Sequence, residues 1–284
     1  MNIRDYQLLD SGDGRKLERL GSITMDRQSP VAFWKKSLKS SQWEQADAIH
    51  VRSEKGGGHW DFRKNNLPAE FTVELGTLKL KSKLTSFGHL GFFPEQIWEW
   101  PWLKESAEKI SSSGSKKVIN LFGYTGGSSL ALASGGCEVV HIDAAKGVVD
   151  WGKENQLLNP TTENKIRWMV DDCEKFLEKE IRRGNRYDGF VMDPPTFGRG
   201  TKNEIFRIEE NILGILEKLK SLCGDSPKLI HFSCHTPGWT PFVLKNLLSQ
   251  HFQIQGAEGG DLSIRNSSGG LEVPSGSYVR LARI

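Results

Sequence analysis

Strands alternate with helices from Lys117 to about Gln250, and this alternation constrains the fold more than any other feature of the 284-residue chain. Five short apolar runs are each followed by a stretch with helical spacing; the runs are 118–122, 138–142, 166–170, 187–192 and 228–233. The helix after the fourth run is expected over 204–222. Such repeats predict a parallel sheet with helices on both faces. Two late strands, expected at 252–257 and 276–284, complete a doubly wound, seven-stranded, mostly parallel α/β sheet with one reversed edge strand.

The first hundred residues follow a different pattern. Phe71–Leu75 and Leu78–Leu84 alternate apolar and polar side chains around Gly76, which predicts two half-buried strands joined by a turn. A helix is expected from about Pro94 to Ser111. We therefore expect a small β-rich domain with a linker helix over residues 1–104 and a larger α/β domain over residues 105–284.

Composition narrows the class of protein. Charged residues make up 26% and apolar residues 37%, an ordinary globular balance, and no apolar run approaches the ~20 residues of a membrane span. The four cysteines show no Cys-x-x-Cys spacing, which disfavours a structural zinc site or a disulfide framework and favours the cytoplasm. The net charge of +3 neither requires nor excludes a nucleic-acid partner.

The loop after the first strand of the series is rich in glycine. Open α/β sheets bind ligands at the carboxyl ends of their strands, so each of these loops is a candidate site. The segment Asn120-Leu-Phe-Gly-Tyr-Thr-Gly-Gly127 precedes a helix. Its glycines permit a tight turn close to a ligand, and the helix start offers free N–H groups. The segment is either a ligand cradle or an ordinary strand–helix turn.

Carboxylates follow the second and third strands. Asp143 lies twenty residues after Gly123, where a carboxylate can accept hydrogen bonds from both hydroxyls of a ribose. Asp171 and Asp172 end the third strand, where a carboxylate can accept a hydrogen bond from an adenine amino group. Aspartate also caps helices, so each of these residues is either a ligand contact or an N-cap.

The fourth and fifth strands end in the most informative loops. In Asp193-Pro-Pro-Thr-Phe197 two prolines fix an extended turn that presents the acid and its carbonyl to the cleft. Cys234 follows the fifth strand, beside His235. A thiol at that place is either an activated nucleophile or a small buried apolar side chain.

These loops, in this order, resemble those of class I S-adenosylmethionine-dependent methyltransferases, whose fold is Rossmann-like. Within that superfamily the chain is similar to the ribosomal RNA large-subunit methyltransferase I type, a 5-methylcytosine group with an Asp-Pro-Pro-Lys-Phe-like motif. The resemblance includes Leu84–Phe93 and covers about residues 70–284. Residues 1–70 do not match that family's N-terminal RNA-binding module, and Ser233-Cys-His235 replaces its Ser-Cys-Ser.

The resemblance implies roles for individual residues. It implies catalytic roles for Cys234 and Asp193, substrate contacts for Pro195 and Phe197, and no metal. The donor-binding residues that it implies are Phe93, Gln96, Asn120, Phe122, Gly123, Tyr124, Thr125, Gly126, Asp143, Ala144, Asn155, Asp171, Asp172, Asp193 and Pro194.

The resemblance also implies a function. It predicts an S-adenosylmethionine-dependent methyltransferase that acts on RNA, with rRNA as the expected partner and cytosine C5 as the candidate atom. On that route a thiolate adds to C6, which makes C5 nucleophilic enough to take the methyl group. Methylation of an amino group on nucleic acid or protein needs no thiol and stays an alternative, as does a non-catalytic RNA-binding relative. A dehydrogenase is disfavoured because the Gly-x-Gly-x-x-Gly spacing is missing.

Overall fold

The computed structural model describes residues 3–53, 57–114, 116–200, 205–266 and 269–283. The chain divides into two compact units. The first contains Met1–Ile97 and Ser263–Ser275, and the second contains Trp98–Leu262 and Gly276–Ile284. The boundary between them falls a few residues before the one expected after residue 104, and 263–275 returns to the first unit. Among the helices in the described ranges, none combines the length and the apolar composition of a membrane span.

The first unit is built from β-strands, as expected. A five-stranded sheet has the order β1-β2-β3-β4-β5, and its strands are β1 (Tyr6–Gly12), β2 (Arg15–Leu20), β3 (Ile23–Gln28), β4 (Ala48–Arg52) and β5 (Gly58–Phe62). One helical turn, α1 (Ser40–Trp43), precedes β4. The predicted hairpin forms a separate pair, β6 (Glu70–Leu75) and β7 (Leu78–Lys83), joined at Gly76 in the left-handed region (φ 68°).

A buried ion-pair cluster lies within the first unit. Both oxygens of Glu18 accept hydrogen bonds from the Arg27 guanidinium, at 2.6 and 2.7 Å, and Tyr6 donates its hydroxyl to Glu18 at 2.6 Å. The Lys16 ammonium lies 3.4 Å from Glu18. Burial alone would raise the pKa of Glu18, but the Arg27 and Lys16 charges lower it to about 2. The carboxylate therefore stays ionised inside the unit.

The second unit contains the predicted seven-stranded sheet. Its order is β10-β9-β8-β11-β14-β16-β15, and only β16 runs antiparallel to its neighbour β14 among the pairings described. The strands are β8 (Lys117–Leu121), β9 (Glu138–Asp143), β10 (Ile166–Val170), β11 (Gly189–Met192), β14 (Leu229–Cys234), β15 (Glu258–Ile264) and β16 (Val273–Ala282). The strand order reverses between β8 and β11, which is where such sheets open a ligand crevice.

Helices follow the parallel strands as expected. They are α2 (Trp100–Ser112), which precedes the sheet, and α3 (Gly127–Ser134), α4 (Lys146–Leu157), α5 (Cys173–Arg182), α6 (Ile208–Cys223) and α7 (Pro241–Ser249). Short 3₁₀ turns occupy Pro94–Trp98 and Pro160–Thr162. The core between the sheet and α5, α6 and α7 contains Phe176, Phe190 and Phe232, all fully buried. This packing fixes the positions of the loops at the carboxyl ends of the strands.

Two sequence predictions need correction. The helix expected over 204–222 begins at Ile208, because β13 (Ile205–Arg207) pairs with β12 (Phe197–Arg199) as a short hairpin; Glu204 lies outside the described residues. The late strand expected at 252–257 is β15, six residues further on. Phe252 instead packs on Phe190 with ring centroids 5.2 Å apart, where burial of the ring outweighs its strand propensity. The end of the last predicted strand, Ile284, also lies outside the described residues.

Candidate active site

The candidate site lies at the carboxyl ends of β8, β9, β10, β11 and β14. Parallel strands end at the same edge of the sheet, so the loops that follow them come together there. The loops supply a glycine turn, a carboxylate after β9, a carboxylate pair after β10, the Asp-Pro-Pro turn after β11 and a histidine after β14.

The loop after β8 has an unusual backbone. Phe122 and Tyr124 adopt left-handed conformations at φ 55° and 52°, and Gly126 does so at φ 89°. The Gly123 N–H donates to the Ile142 carbonyl at 3.0 Å, and the Gly126 N–H donates to the Gly123 carbonyl at 3.0 Å. Non-glycine residues in this region cost free energy that the surrounding structure must offset, and such strain clusters at functional sites.

Two aromatic rings pack against this loop and require its glycines. A Cβ at Gly123 would lie 2.4 Å from the His141 ring, and a Cβ at Gly126 would lie 2.6 Å from the Trp168 ring. The two rings also contact each other, with centroids 4.4 Å apart. Glycine therefore lets the loop approach a rigid support.

A chain of buried hydrogen bonds holds the His141 ring in place. Asn120 donates to the Ser129 hydroxyl at 2.8 Å, and that hydroxyl lies 2.9 Å from His141 Nδ1. Burial lowers the pKa of His141 to about 3, so the ring is neutral at physiological pH. The Asn120 side chain thus lies behind the loop, where it positions the start of α3.

Asn155 has a comparable place under the loop. Its side chain is fully buried on α4 and donates to the Thr125 carbonyl at 3.0 Å. The predicted contact between Asn155 and S-adenosylmethionine stays a prediction. In this structure Asn155 contacts Thr125 and so supports the glycine loop.

Asp143 joins two loops. Its Oδ2 accepts the Tyr124 N–H at 3.0 Å and its Oδ1 accepts the Ala145 N–H at 2.9 Å. Burial raises the pKa of Asp143 despite these two hydrogen bonds. The helix α4 takes Ala145 as its N-cap, so the carboxylate is oriented toward the loops and keeps lone pairs that can accept hydroxyl protons. Ala144, next to it, is partly exposed.

The paired acids after β10 have different partners. Asp171 accepts the Asp172 N–H through one oxygen and forms a 2.6 Å ion pair with Lys179 through the other. Asp172 is the N-cap of α5, where its Oδ1 accepts the Lys175 N–H at 3.0 Å. Asp172 thus caps α5 and also lines a cavity. Asp171 does not line that cavity.

That cavity, of about 240 Å³, is lined by the start of α5, by α6, by β13 and by Phe122 of the loop after β8. Phe122 and Phe206 form its aromatic lining, with ring centroids 5.0 Å apart, and Cys173 lies at the start of α5. A flat aromatic ring is the kind of group that such a lining accepts. Sequence reasoning missed Phe206, because the expected helix from residue 204 hid the hairpin that carries it.

The Asp-Pro-Pro turn brings Asp193 to a histidine. Asp193 Oδ1 lies 3.3 Å from His235 Nε2, and both side chains are partly exposed, at 24% and 30%. Burial would raise the pKa of Asp193, but the charge of His235 and hydrogen bonds from His235 and Ser233 lower it. Sequence reasoning noted His235 only as a neighbour of Cys234. The signal available was its place at a strand end opposite an acid.

The Cys234 side chain lies on the face of β14 that packs into the core. It is fully buried in the core cluster that contains Ile230 and Phe232. Burial raises the pKa of the Cys234 thiol, although Thr236 hydrogen bonds oppose this. The thiol is therefore protonated in this structure, and its role as nucleophile stays a prediction that requires it to become accessible.

The predicted substrate contacts are exposed. Pro194 is buried, Pro195 is exposed, and Phe197 exposes 51% of its surface at the start of β12. An exposed phenyl ring two residues beyond the proline pair is free to stack on a planar group. Phe93 and Gln96 belong to the first unit, and their donor contacts stay predictions.

The residues at this edge fit an adenosyl amino acid. The glycine loop has the close backbone approach such a molecule needs, Asp143 supplies oriented acceptors for hydroxyls, and the cavity beside Asp172 has an aromatic lining. In the described ranges no group of three or more His, Cys, Asp or Glu side chains is placed to hold a metal ion.

Comparisons with known proteins point to one family. A sequence profile described as S-adenosylmethionine-dependent methyltransferase matches residues 64–244. The crystal structure of a SAM-dependent methyltransferase from Agrobacterium tumefaciens is 32% identical, with a TM-score of 0.90, over 99% of this chain and 91% of that one.

Curated relatives match over shorter segments. The ribosomal RNA large subunit methyltransferase K/L of Pseudoalteromonas translucida is 27% identical over 185 residues, which are 64% of this chain and 25% of that protein. The ribosomal RNA large subunit methyltransferase I of Enterobacter sp. (strain 638) is 40% identical over 83 residues, 29% of this chain and 21% of that protein. The matched segments thus span a quarter or less of these relatives' own lengths.

Proposed function

The chain belongs to the family of S-adenosylmethionine-dependent methyltransferases, and from that premise we propose that it methylates RNA. The predicted fold, family and methyl donor are confirmed by this membership. The RNA substrate is supported by the names of the curated relatives, which are ribosomal RNA methyltransferases. The structural observation that carries the methyl-transfer part of the proposal is the close approach of Asp193 and His235 at the edge that also holds Asp143.

The donor side of the site is formed by the loops after β8, β9 and β10. When bound, S-adenosylmethionine supplies an electrophilic methyl group on a sulfonium. The Asp143 carboxylate would accept the ribose hydroxyls, and the glycine loop of Gly123 and Gly126 would lie along the amino-acid part. Asp172 and the aromatic cavity would hold the adenine ring.

The acceptor side is formed by the loops after β11 and β14. Methylation of a ring carbon or an amino nitrogen releases a proton, which a base must remove. His235 is placed for this, because the Asp193 carboxylate at 3.3 Å orients its ring and stabilises the imidazolium formed. Phe197 would stack on the target base beside them.

The burial of Cys234 favours a second target atom, the nitrogen of an exocyclic amino group. Cytosine C5 methylation requires a thiolate, whereas the Cys234 thiol is buried in the core and its pKa is raised. Methylation of an exocyclic amino group needs only a positioned acceptor and a base. The amino group of a nucleobase is therefore the competing target atom on the same RNA substrate class. Either target implies action where RNA is found, which supports the expected place in the cytoplasm.

The direct test uses tritiated S-adenosylmethionine with the purified protein and an extract from cells that lack it. The labelled product is divided between nuclease and protease digestion. Label released by ribonuclease supports RNA methylation, and digestion to nucleosides then separates 5-methylcytidine from N-methylated nucleosides. Label released only by protease would overturn the RNA substrate while leaving the donor site in place.

A further inference from the structure

A second cavity lies at the opposite end of the same sheet. It has a volume of about 380 Å³ and is found at the amino ends of β8, β9 and β10. Four cationic side chains line it: Lys117, Lys165, Arg167 and Arg186. The five residues of β8, at about 3.3 Å each, separate this cavity from the candidate active site by about 17 Å.

These four cations have no carboxylate partner within 4 Å in the described ranges of the chain. The Lys165 ammonium donates to the Thr161 carbonyl at 3.0 Å, and the Arg186 guanidinium donates to the Ser221 carbonyl. The Arg167 guanidinium lies 6.0 Å from the ring centroid of Phe176. Carbonyl and ring contacts orient cations without neutralising them, so the cavity keeps their positive charge.

The acids in the cavity do not cancel this charge. Glu180 is fully buried, and its carboxylate accepts hydrogen bonds from Arg183, Asn185 and the Tyr187 hydroxyl. Burial would raise the pKa of Glu180, but these hydrogen bonds and the charge of Arg167 lower it. Glu180 is thus ionised and buried in the cavity lining, and its hydrogen bonds hold the loop after α5 in place. Glu138 is exposed at the rim and is the other acid in the lining.

From this geometry we infer that the cavity binds the phosphate backbone of the RNA substrate at a distance from the methylated nucleotide. The inference rests on the proposed RNA substrate. Two arginines and two lysines around a preformed cavity suit phosphate oxygens, because guanidinium groups bind them bidentately and ammonium groups act as point charges. Contacts of this kind position the nucleic acid and carry no sequence information.

The site concentrates charge that the composition does not reveal. The whole chain has a net charge of only +3. The cavity lining, with four cations and two acids, nevertheless carries a local excess of positive charge. Lys116, which precedes Lys117 in the chain, is exposed as well. An RNA that reaches the active-site edge could contact this corner as well.

The test is the double variant Lys165→Gln with Arg167→Gln. Its matched control is Lys104→Gln with Lys109→Gln on α2, which removes one partly exposed and one exposed cation, each with its own carboxylate partner. Binding of a fluorescein-labelled mixed-sequence RNA 20-mer is measured from 50 to 300 mM salt. Removal of two phosphate contacts should reduce the slope of log Kd against log salt by about 1.4, since each contact on a single strand contributes about 0.7. The control should keep the slope of the unaltered protein.

Kinetics separate this inference from the proposed function. The double variant should raise KM for RNA at least tenfold with kcat and the donor Kd unchanged, because the site contacts neither donor nor target base. If the unaltered protein methylates RNA while the double variant matches its control in slope and KM, only the phosphate site is wrong. If the unaltered protein binds and methylates no RNA, both proposals fail.

Discussion

Asp143 shows how one carboxylate can serve two purposes. It fixes the start of the glycine loop through the Tyr124 N–H and the loop before α4 through the Ala145 N–H, and its remaining lone pairs can accept hydroxyl protons. Asp143→Asn should weaken binding of S-adenosylhomocysteine at least tenfold, because the amide places a donor group against one of these N–H groups. Isothermal titration calorimetry measures this change. Asp150→Asn, on an exposed part of α4, is the control and should bind as the unaltered protein does.

His235 and Asp193 carry the prediction about proton removal. His235→Ala should lower kcat by about 10²–10⁴-fold, the usual contribution of a general base, and leave the Kd of S-adenosylhomocysteine within twofold. Single-turnover kinetics with RNA measure the chemical step directly. His251→Ala, in a partly buried histidine beyond α7, is the matched control. A normal single-turnover rate for His235→Ala would remove this residue from the mechanism.

Cys234 distinguishes the two target atoms. Covalent catalysis predicts that Cys234→Ala abolishes methyl transfer without changing donor binding. Retention of kcat within about threefold would instead assign the reaction to an amino group, in line with the buried, protonated thiol. Cys223→Ala, at the end of α6, controls for loss of a sulfhydryl group elsewhere.

At the scale of elements, the glycine loop depends on the rings packed against it. Gly126→Ala should cost about 2–4 kcal/mol in the free energy of unfolding, because it adds left-handed strain and a 2.6 Å contact with Trp168. Trp168 cannot move freely, since its Nε1 donates to Gln156 at 2.7 Å. The affinity for S-adenosylmethionine should fall as well, because the glycine loop belongs to its proposed binding site. Urea denaturation and donor titration give the two quantities.

Gly184→Ala is the comparison that isolates the contact from the strain. Gly184 also has a positive φ, of 69°, but a Cβ there would meet no atom within 4 Å. It should therefore cost only about 1 kcal/mol and leave the donor Kd unchanged. Equal losses of stability in the two variants would show that Trp168 does not limit the loop.

At the scale of the whole molecule, the stability of the first unit is linked to pH through Glu18. Its pKa falls from an ordinary value of 4.5 to about 2 on folding, so the folded state binds fewer protons and the stability is fully present above pH 4.5. This stability, about 3 kcal/mol, is lost as the pH falls from 4.5 toward 2. Glu18→Gln should remove that pH dependence and destabilise the protein at pH 7 by about 3–5 kcal/mol, because Arg27 loses a buried partner.

The measurement is urea unfolding between pH 3 and pH 7, with Glu74→Gln as the control. Glu74 is half exposed, and its ion pairs with Arg4 and Lys79 lie at the surface, where such pairs contribute little. A Glu18→Gln protein as stable as the unaltered one at pH 7 would contradict the role given to this cluster.

The sequence by itself determined the architecture of the second unit and the loops that carry chemistry. The 3.6-residue and two-residue periodicities depend only on local backbone geometry, so the sequence predicts strands at 118–122, 138–142 and 166–170, and β8, β9 and β10 match these bounds within one residue. Parallel pairing then requires their carboxyl ends to meet, which brought Asp143 and Asp193 to one edge.

Only the tertiary structure decided what each side chain does there. Asn155 supports the loop and Cys234 faces the core because the groups that they contact are distant in sequence. The same holds for the His235–Asp193 pair and for the basic cavity, whose cations come from two strands, β8 and β10, and from the loops that precede β10 and β11. Asn120 bonds to Ser129 and Asp171 pairs with Lys179 across shorter separations, nine and eight residues, and these contacts depend on how the helix after each strand packs back on the sheet. Periodicity fixes which face of an element is buried, but long-range packing decides which polar groups meet.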